Sequence, residues 1–349
     1  MSKIFQHKFK IGAIVLFSVC LFSCKKENLD LNNLNETIYV RHKNADMPAH
    51  IHGNGSEKVF LIVLHGGPGG DALQYRVTSI KSEIEKNNAV VYFDQRGSGN
   101  SQGNYSEEEL SLDLMAEDIL ALAKVIRAKY GNDSKLFLMG HSWGGTLGPA
   151  VLLKDQSEFL GWINVDGSHD PKGEYNAYKN RLNHIANDQM ALGNSVDYWK
   201  NVLEIVKNTD TNYNSNDYSI LNTNAGLGEE KLVSDKVIKE METNDNFPTY
   251  NYLTYRWNLV KTNTILFDKK GVYEKVSFTE RLSEITIPSV VLFGKYDIMV
   301  PIVFAQESYD KIGSIDKELF FFEKSGHSPM LTEPDLFAVK VIGFINKHK

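Results

Sequence analysis

Side chains able to open an acyl bond together, a hydroxyl, an imidazole and a carboxylate, recur in this chain at the ends of short apolar runs. The hydroxyl is Ser142, in Leu136-Phe137-Leu138-Met139-Gly140-His141-Ser142-Trp143-Gly144-Gly145. The pattern G-x-S-x-G after a buried strand reads as a nucleophile elbow, a strand-to-helix turn so tight that Gly140 and Gly144 must leave room for the backbone. Such a turn lifts the serine into a strained, exposed position at a helix N-terminus, where the Trp143 N–H and the helix dipole face a developing oxyanion. Small residues Gly145, Gly148 and Ala150 follow, and they let the helix lie close on a sheet.

The imidazole is His327, in Ser325-Gly326-His327-Ser328 after an apolar run at 318–322. The carboxylate is Asp297, which ends Phe293-Gly294-Lys295-Tyr296-Asp297, with Asp166 at the end of the run 160–166 as the reserve acid. In this arrangement His327 takes the proton from Ser142 and returns it to the leaving group, while the acid holds the ring and stabilises its charged form. A glycine-rich loop, His65-Gly66-Gly67-Pro68-Gly69-Gly70, follows the run 59–64. It allows close backbone approach to a ligand, and the Gly67 N–H is the expected second oxyanion donor. His65 reads as a structural residue beneath that loop. Asp94 and Arg96, in Asp94-Gln95-Arg96-Gly97-Ser98-Gly99-Asn100-Ser101, read as a buried ion pair with backbone bonds that stiffens their own loop.

These groups need a scaffold that brings strand ends together. Apolar runs alternate with helical patterns: strands near 37–40, 49–52, 59–64, 90–93, 135–140, 160–166, 288–294 and 318–322, and helices at 72–86, 112–130, after Ser142, 301–311 and 333–346. That alternation predicts an α/β fold with a mostly parallel sheet, helices on both faces and functional groups at the strands' carboxyl ends. Between about 171 and 283 strand runs vanish and aromatic and amide residues appear among helix-like segments. This stretch reads as a helical cap over a pocket, with part of its aromatics packing the cap's own core.

Bulk properties narrow the function. The chain has 349 residues and a net charge of -6, which leaves no basic footprint for nucleic acid. The only cysteines are Cys20 and Cys24, so the body has neither a disulfide framework nor a cysteine metal site. No H-E-x-x-H spacing occurs, and the glycine-rich loop lacks a P-loop ending. No cofactor is expected. Lys3, Lys8 and Lys10 precede the apolar run 11–22, and Leu21-Phe22-Ser23-Cys24 resembles a bacterial lipoprotein box in which Cys24 becomes the lipidated first residue. The expected organisation is a lipoprotein-type signal at 1–23, a linker at 24–36, a core at 37–170 and 284–349, and the cap at 171–283. It implies export to a bacterial cell envelope with the membrane as partner through the lipid.

The motifs His65-Gly66-Gly67-Pro68-Gly69, Asp94-Gln95-Arg96-Gly97-Ser98-Gly99-Asn100-Ser101 and Gly140-His141-Ser142-Trp143-Gly144-Gly145 together resemble the proline iminopeptidase group of the α/β-hydrolase fold, and the resemblance covers the chain from about 37 onward. It implies Ser142, Asp297 and His327 as nucleophile, acid and base, Gly67 and Trp143 as oxyanion donors, and a short-peptide or small-molecule substrate. The resemblance also implies cap glutamates that hold a free α-amino group, among Glu174, Glu204, Glu229, Glu230, Glu240 and Glu242. The expected activity is a serine hydrolase of aminopeptidase type. The alternatives are a carboxylesterase for small esters, which needs no cap carboxylates, and a noncatalytic ligand-binding surface lipoprotein, which would not need all three side chains. A dehalogenase or epoxide hydrolase would carry an aspartate where Ser142 stands.

Overall fold

The computed structural model describes residues 30–78, 80–242 and 251–349, so the expected signal and residues 24–29 of the expected linker lie outside the described residues. Among the described residues nine strands follow in chain order: β1 (Leu34–His42), β2 (Ala45–Gly53), β3 (Val59–Leu64), β4 (Ala89–Phe93), the two-residue β5 (Gln102–Gly103), β6 (Lys135–His141), β7 (Gly161–Val165), β8 (Ser289–Gly294) and β9 (Lys317–Phe322). They form one sheet in the order β1-β2-β4-β3-β6-β7-β8-β9, with β5 paired on β2. From β4 to β9 the pairs are parallel, while β1 and β2 add an antiparallel edge.

The parallel strands are continuous apolar runs because both of their faces are covered. On β3, Phe60, Ile62 and Leu64 point into one core with Leu122 and Ile126 of α1 (Leu112–Tyr130) and Leu147 and Val151 of α2 (Gly144–Asp155). Val59, Leu61 and Val63 point the other way, into a second core with helix residues Phe337, Val341 and Phe344. This period-two division is what a strand's geometry imposes. Helix α2 lies close on the sheet because a Cβ at Gly148 would stand 2.0 Å from the Trp162 ring.

Between β7 and β8 the described residues are mainly helical: α3 (Pro171–Ala191), α4 (Val196–Lys207), α5 (Ser215–Ser234) and α6 (Tyr252–Asn263), with a π-helical stretch at Thr264–Lys269. These helices have their own core, built on Tyr178, Leu182, Trp199, Val202, Leu221 and Leu232. Tyr175, Tyr178 and Trp199 are buried there, whereas Tyr252 and Trp257 stand exposed. After β8 come α7 (Val303–Lys311) and, last, α8 (Pro334–His348), which carries the Phe337, Val341 and Phe344 face.

Three expectations are corrected. The sheet begins at Leu34 rather than 37, because Leu34 is buried and pairs with Gly53, so residues 34–36 of the expected linker belong to β1. The expected helix at 72–86 is split into a 3-10 turn at Ala72–Tyr75, a π-helical turn at Ile80–Ile84 and a short α-helical end at Glu85–Asn87. Asp71 caps the first piece through Leu73 N at 2.8 Å, and the Tyr75 hydroxyl is drawn inward to Gly66 N, which competes with continuing the helix. Arg96 does not pair with Asp94. Its guanidinium binds Asp118 of α1 through two nitrogens at 2.7 and 2.9 Å and the carbonyls of His42 and Lys43 at 3.0 Å. Asp94 instead accepts from the N–H groups of Ala72 and Asn100.

Arg96 and Asp118 are both almost fully buried. Arg96→Ala leaves Asp118 buried with only the half-exposed His42 beside it, and is expected to lower the unfolding free energy by about 3–5 kcal/mol. Urea denaturation at neutral pH measures this, and a loss below about 1 kcal/mol would show that the pair does not hold α1 to the sheet edge.

Candidate active site

Strand β6 delivers Ser142 at φ 56°, left-handed backbone that a residue with a Cβ rarely adopts. The turn survives because its neighbours carry no side chain. A Cβ at Gly140 would lie 2.2 Å from the Gly144 carbonyl oxygen, and one at Gly144 would lie 2.2 Å from that of Leu64. Ser142 N donates to the Val165 carbonyl at 3.2 Å, and Gly145 N donates to the Ser142 carbonyl at 2.8 Å. The side chain is left half-buried on the wall of a cavity.

His327 follows β9 and Asp297 follows β8, adjacent parallel strands, so their loops emerge side by side. The ring Nδ1 lies 2.9 Å from Asp297 Oδ2. The other carboxylate oxygen accepts from Val300 N at 2.8 Å, which leaves Asp297 wholly buried and fixed. Acting as donor at Nδ1, the ring presents Nε2 as a free base. Burial presses the imidazole pKa down, but the charge and hydrogen bond of Asp297 outweigh it and the net shift is upward. Asp166 contacts the sheet rather than the ring. Its Oδ1 accepts from Gly294 N at 2.7 Å, and burial followed by the Asp297 charge pushes its pKa well above the carboxylate range. Of the two acids, Asp297 is the one bonded to the imidazole.

The glycine-rich loop meets the elbow directly, since a Cβ at Gly66 would lie 3.2 Å from Ser142 Cβ. Gly67, at φ 127°, shares the cavity wall with Ser142 and Trp143. Neighbouring side chains hold this loop in place. Gln95 donates to the His65 carbonyl at 3.0 Å and accepts from Trp143 Nε1 at 3.1 Å, and Asn263 of α6 donates to the Pro68 carbonyl at 2.7 Å. His65 is fully buried, with Nδ1 on the Gly66 carbonyl and Nε2 facing Gln95 N, so both ring nitrogens serve the loop backbone.

A second histidine that sequence reasoning passed over ties the loops together. His141 Nε2 donates to the His327 carbonyl at 2.6 Å, which makes Nδ1 the acceptor for the Tyr75 hydroxyl, also at 2.6 Å. Tyr75 in turn accepts from Gly66 N at 2.8 Å. Burial and the neighbouring His327 push His141 down to about 3, so it stays neutral and keeps this single tautomer. Its place immediately before Ser142 was the only hint in the sequence. Tyr75 gave none, because the split of the helix at 72–86 was not foreseen.

The cavity is about 950 Å³ and is roofed by α3, α5, α6 and the π-helical stretch. Ser142, Gly67, Trp143 and Thr146 form its floor, and Tyr178, Tyr213, Tyr218, Tyr273 and Phe267 form an aromatic wall. Of the six glutamates considered for a substrate amine, Glu174 alone lines this cavity. It is buried, accepts from the Tyr218 hydroxyl, and is pushed up to about 7 by burial against the opposing pull of that bond. Asp268, in the π-helical stretch, adds a second carboxylate to the lining that no sequence pattern marked. Glu229 is buried against loop backbone, Glu204, Glu230 and Glu240 are exposed, and Glu242 borders a smaller cavity beside His141. Among the described residues no group of histidine, cysteine or carboxylate side chains could hold a metal ion.

The sequence model of the alpha/beta hydrolase fold matches residues 59–334. The chain belongs to that family. Relatives of similar length include a probable aminopeptidase of Bacillus subtilis, 27% identical over 300 residues that cover 82% of this chain and 89% of the relative. A proline iminopeptidase of Saccharolobus solfataricus is 26% identical over 289 residues, 82% of this chain and 84% of the relative. Among solved structures the proline iminopeptidase of Mycobacterium smegmatis superposes with a TM-score of 0.60 at 17% identity, over 90% of this chain and 98% of that one. An esterase from Exiguobacterium antarcticum gives 0.58 at 17% identity, over 90% and 100%. The α/β-hydrolase fold expected from the motifs is therefore the fold of this chain, and the protein is a hydrolase of that superfamily.

The two acids separate experimentally. Asp297→Asn is expected to lower kcat by about 10⁴, since the amide reverses the donor pattern at the ring. Asp166→Asn is expected to stay within roughly tenfold, because an amide supplies the donor that a protonated acid supplies. Steady-state kinetics of both variants on one activated substrate decide it, and the reverse ranking would move the acid role to Asp166.

Proposed function

We propose that the protein is a serine hydrolase working through an acyl-enzyme, with Ser142 as nucleophile, His327 as base and Asp297 as acid partner. Ser142 Oγ attacks the scissile carbonyl carbon as its proton passes to His327 Nε2, and Asp297 stabilises the imidazolium. The carbonyl oxygen becomes an oxyanion that the N–H groups of Gly67 and Trp143 receive. Collapse breaks the bond to the leaving group, which takes the proton from His327. Water activated by the same ring then releases the acid and frees Ser142.

We further propose an aminopeptidase of proline iminopeptidase type, and the observation that carries this is Glu174 in the same cavity as Ser142. A buried carboxylate beside tyrosine faces is a site for an ammonium group, which gains charge pairing and attraction to the aromatic rings. Binding there seats the first residue of a peptide with its carbonyl toward the floor. The named relatives are consistent with this reading. One observation favours a carboxylesterase as second reading: only one of the six glutamates faces the cavity. The N-terminal segment supports a further proposal, export as a lipoprotein anchored through Cys24, with the membrane as its partner.

Four outcomes test these proposals. Ser142→Ala should abolish hydrolysis of proline arylamides, other aminoacyl arylamides and short acyl esters alike, and residual turnover near wild type would remove Ser142 from the mechanism. Glu174 is ionised only above its pKa of about 7, so KM for aminoacyl arylamides should rise as pH falls through 7 while KM for acyl esters holds steady. Glu174→Gln should raise the arylamide KM about ten- to a hundredfold and erase that pH dependence, whereas equal KM values for the two substrate classes in wild type would favour the esterase. Cys24→Ser should release the protein from the membrane fraction and stop incorporation of labelled fatty acid, and an unchanged fraction would refute the anchor.

A further inference from the structure

Glu229 lies on α5, in the cap, yet both of its carboxylate oxygens serve the core loops. Oε1 accepts from Ile298 N at 3.0 Å, and Oε2 accepts from His327 N at 2.9 Å. The first donor is the residue after Asp297 and the second belongs to His327 itself. Two N–H donors on two oxygens is the pattern of an ionised carboxylate, and charge-assisted bonds of this kind are stronger than neutral ones. A Cβ at Gly326 would stand 2.4 Å from Oε2, so the glycine before His327 is required by this carboxylate. Ile298 is held from the cap side as well, since its Cδ1 lies 3.1 Å from where a Cβ at Gly228 would be.

Charged groups meet at this point from both the cap and the core. Arg181 of α3, almost fully buried, donates to the carbonyls of Asp297 at 2.8 Å and Lys295 at 2.5 Å. His327 is faced by the carboxyl groups of Asp297, Glu229 and Glu174 and by neutral His141, while Glu229 is faced by Asp297, Asp166, Arg181 and His327. Burial, then the Asp297 charge, pushes the Glu229 carboxyl up to about 7 against the opposing pull of the His327 ring and the two backbone N–H groups.

We infer that Glu229 is a positioning residue for the base: from the cap it fixes the backbone of the acid and base loops against each other, and its charge stabilises the imidazolium formed when Ser142 attacks. The inference rests on the serine-hydrolase reading of Ser142, Asp297 and His327, and it is independent of whether the substrate is a peptide or an ester. It also assigns Glu229 away from substrate amines, because both oxygens are already taken by backbone.

The test compares wild type, Glu229→Gln and Gly326→Ala on an aminoacyl arylamide and a short acyl ester across pH, with thermal melting in parallel. In Glu229→Gln the amide places an N–H₂ against one of the two backbone donors and removes the charge. Its kcat is expected to fall on the order of 10²-fold on both substrates, with KM within about twofold of wild type. The acid limb of kcat/KM should move down by about one pH unit, since an anion beside the imidazolium has been lost. Gly326→Ala keeps the carboxylate but pushes it off the loop, and should show the same signs; if Glu229→Gln does not fold, this variant alone is read. A loss confined to KM of the substrate with a free amine, or an acid limb that stays in place, would overturn the inference. Wild type that hydrolyses neither substrate would instead overturn the serine-hydrolase reading and the inference with it.

Discussion

At the carboxyl end of the sheet, backbone segments approach one another more closely than a Cβ would permit. Gly66 against Ser142, Gly140 against Gly144, Gly144 against Leu64, Gly145 against Gly167 and Gly294 against Gly326 are contacts in which a methyl group would overlap or crowd its neighbour. The strained conformation of Ser142 exists inside this close packing, because a turn held on every side has nowhere to relax. Hydrogen bonds then set the orientation that packing alone leaves free. The sequence Gly66 N–H to Tyr75, Tyr75 to His141 and His141 to the His327 carbonyl passes through three loops, and each donor in it has one acceptor.

The cap is more than a roof. Arg181 and Glu229 descend from it to the loops of Asp297 and His327, and Asn258, Thr262 and Asn263 of α6 bond the carbonyls of Gly99, Gly97 and Pro68. Displacing the cap would therefore disturb the loops of His327 and Asp297 and the glycine-rich loop together. Glu174 faces the opposite way, into the cavity. On the proposed reading the two cap glutamates differ in role, Glu174 toward a substrate amine and Glu229 toward the loop backbone.

Much of this was legible in the residues. Strands buried on both faces announced themselves as unbroken apolar runs, and the glycines around Ser142 marked a turn that only close packing demands. The places of Asp297 and His327 after apolar runs marked both as strand-end residues, and the β8–β9 pairing brings them into contact. What could not be read depends on distant partners. Arg96 found Asp118 on α1 rather than Asp94 two residues away, since a strand-end charge takes whichever counter-charge the fold brings to it. The helix at 72–86 broke because Tyr75 was needed under Gly66, a tertiary demand with no local signature. Choosing among six cap glutamates required knowing the rotation of each helix above the sheet, which the weakly amphipathic α3 and α5 do not encode.

We propose that Ser142, His327, Asp297 and the N–H groups of Gly67 and Trp143 act on one reacting carbon. A crystal structure of the protein inhibited by a fluorophosphonate tests this most directly, because the bound phosphorus mimics the tetrahedral intermediate. The expected result is a covalent bond to Ser142 Oγ, the phosphoryl oxygen within hydrogen-bond reach of both N–H groups, and His327 Nε2 beside the bonded oxygen. A phosphorus bonded to another residue, or a phosphoryl oxygen turned away from Gly67 and Trp143, would contradict it.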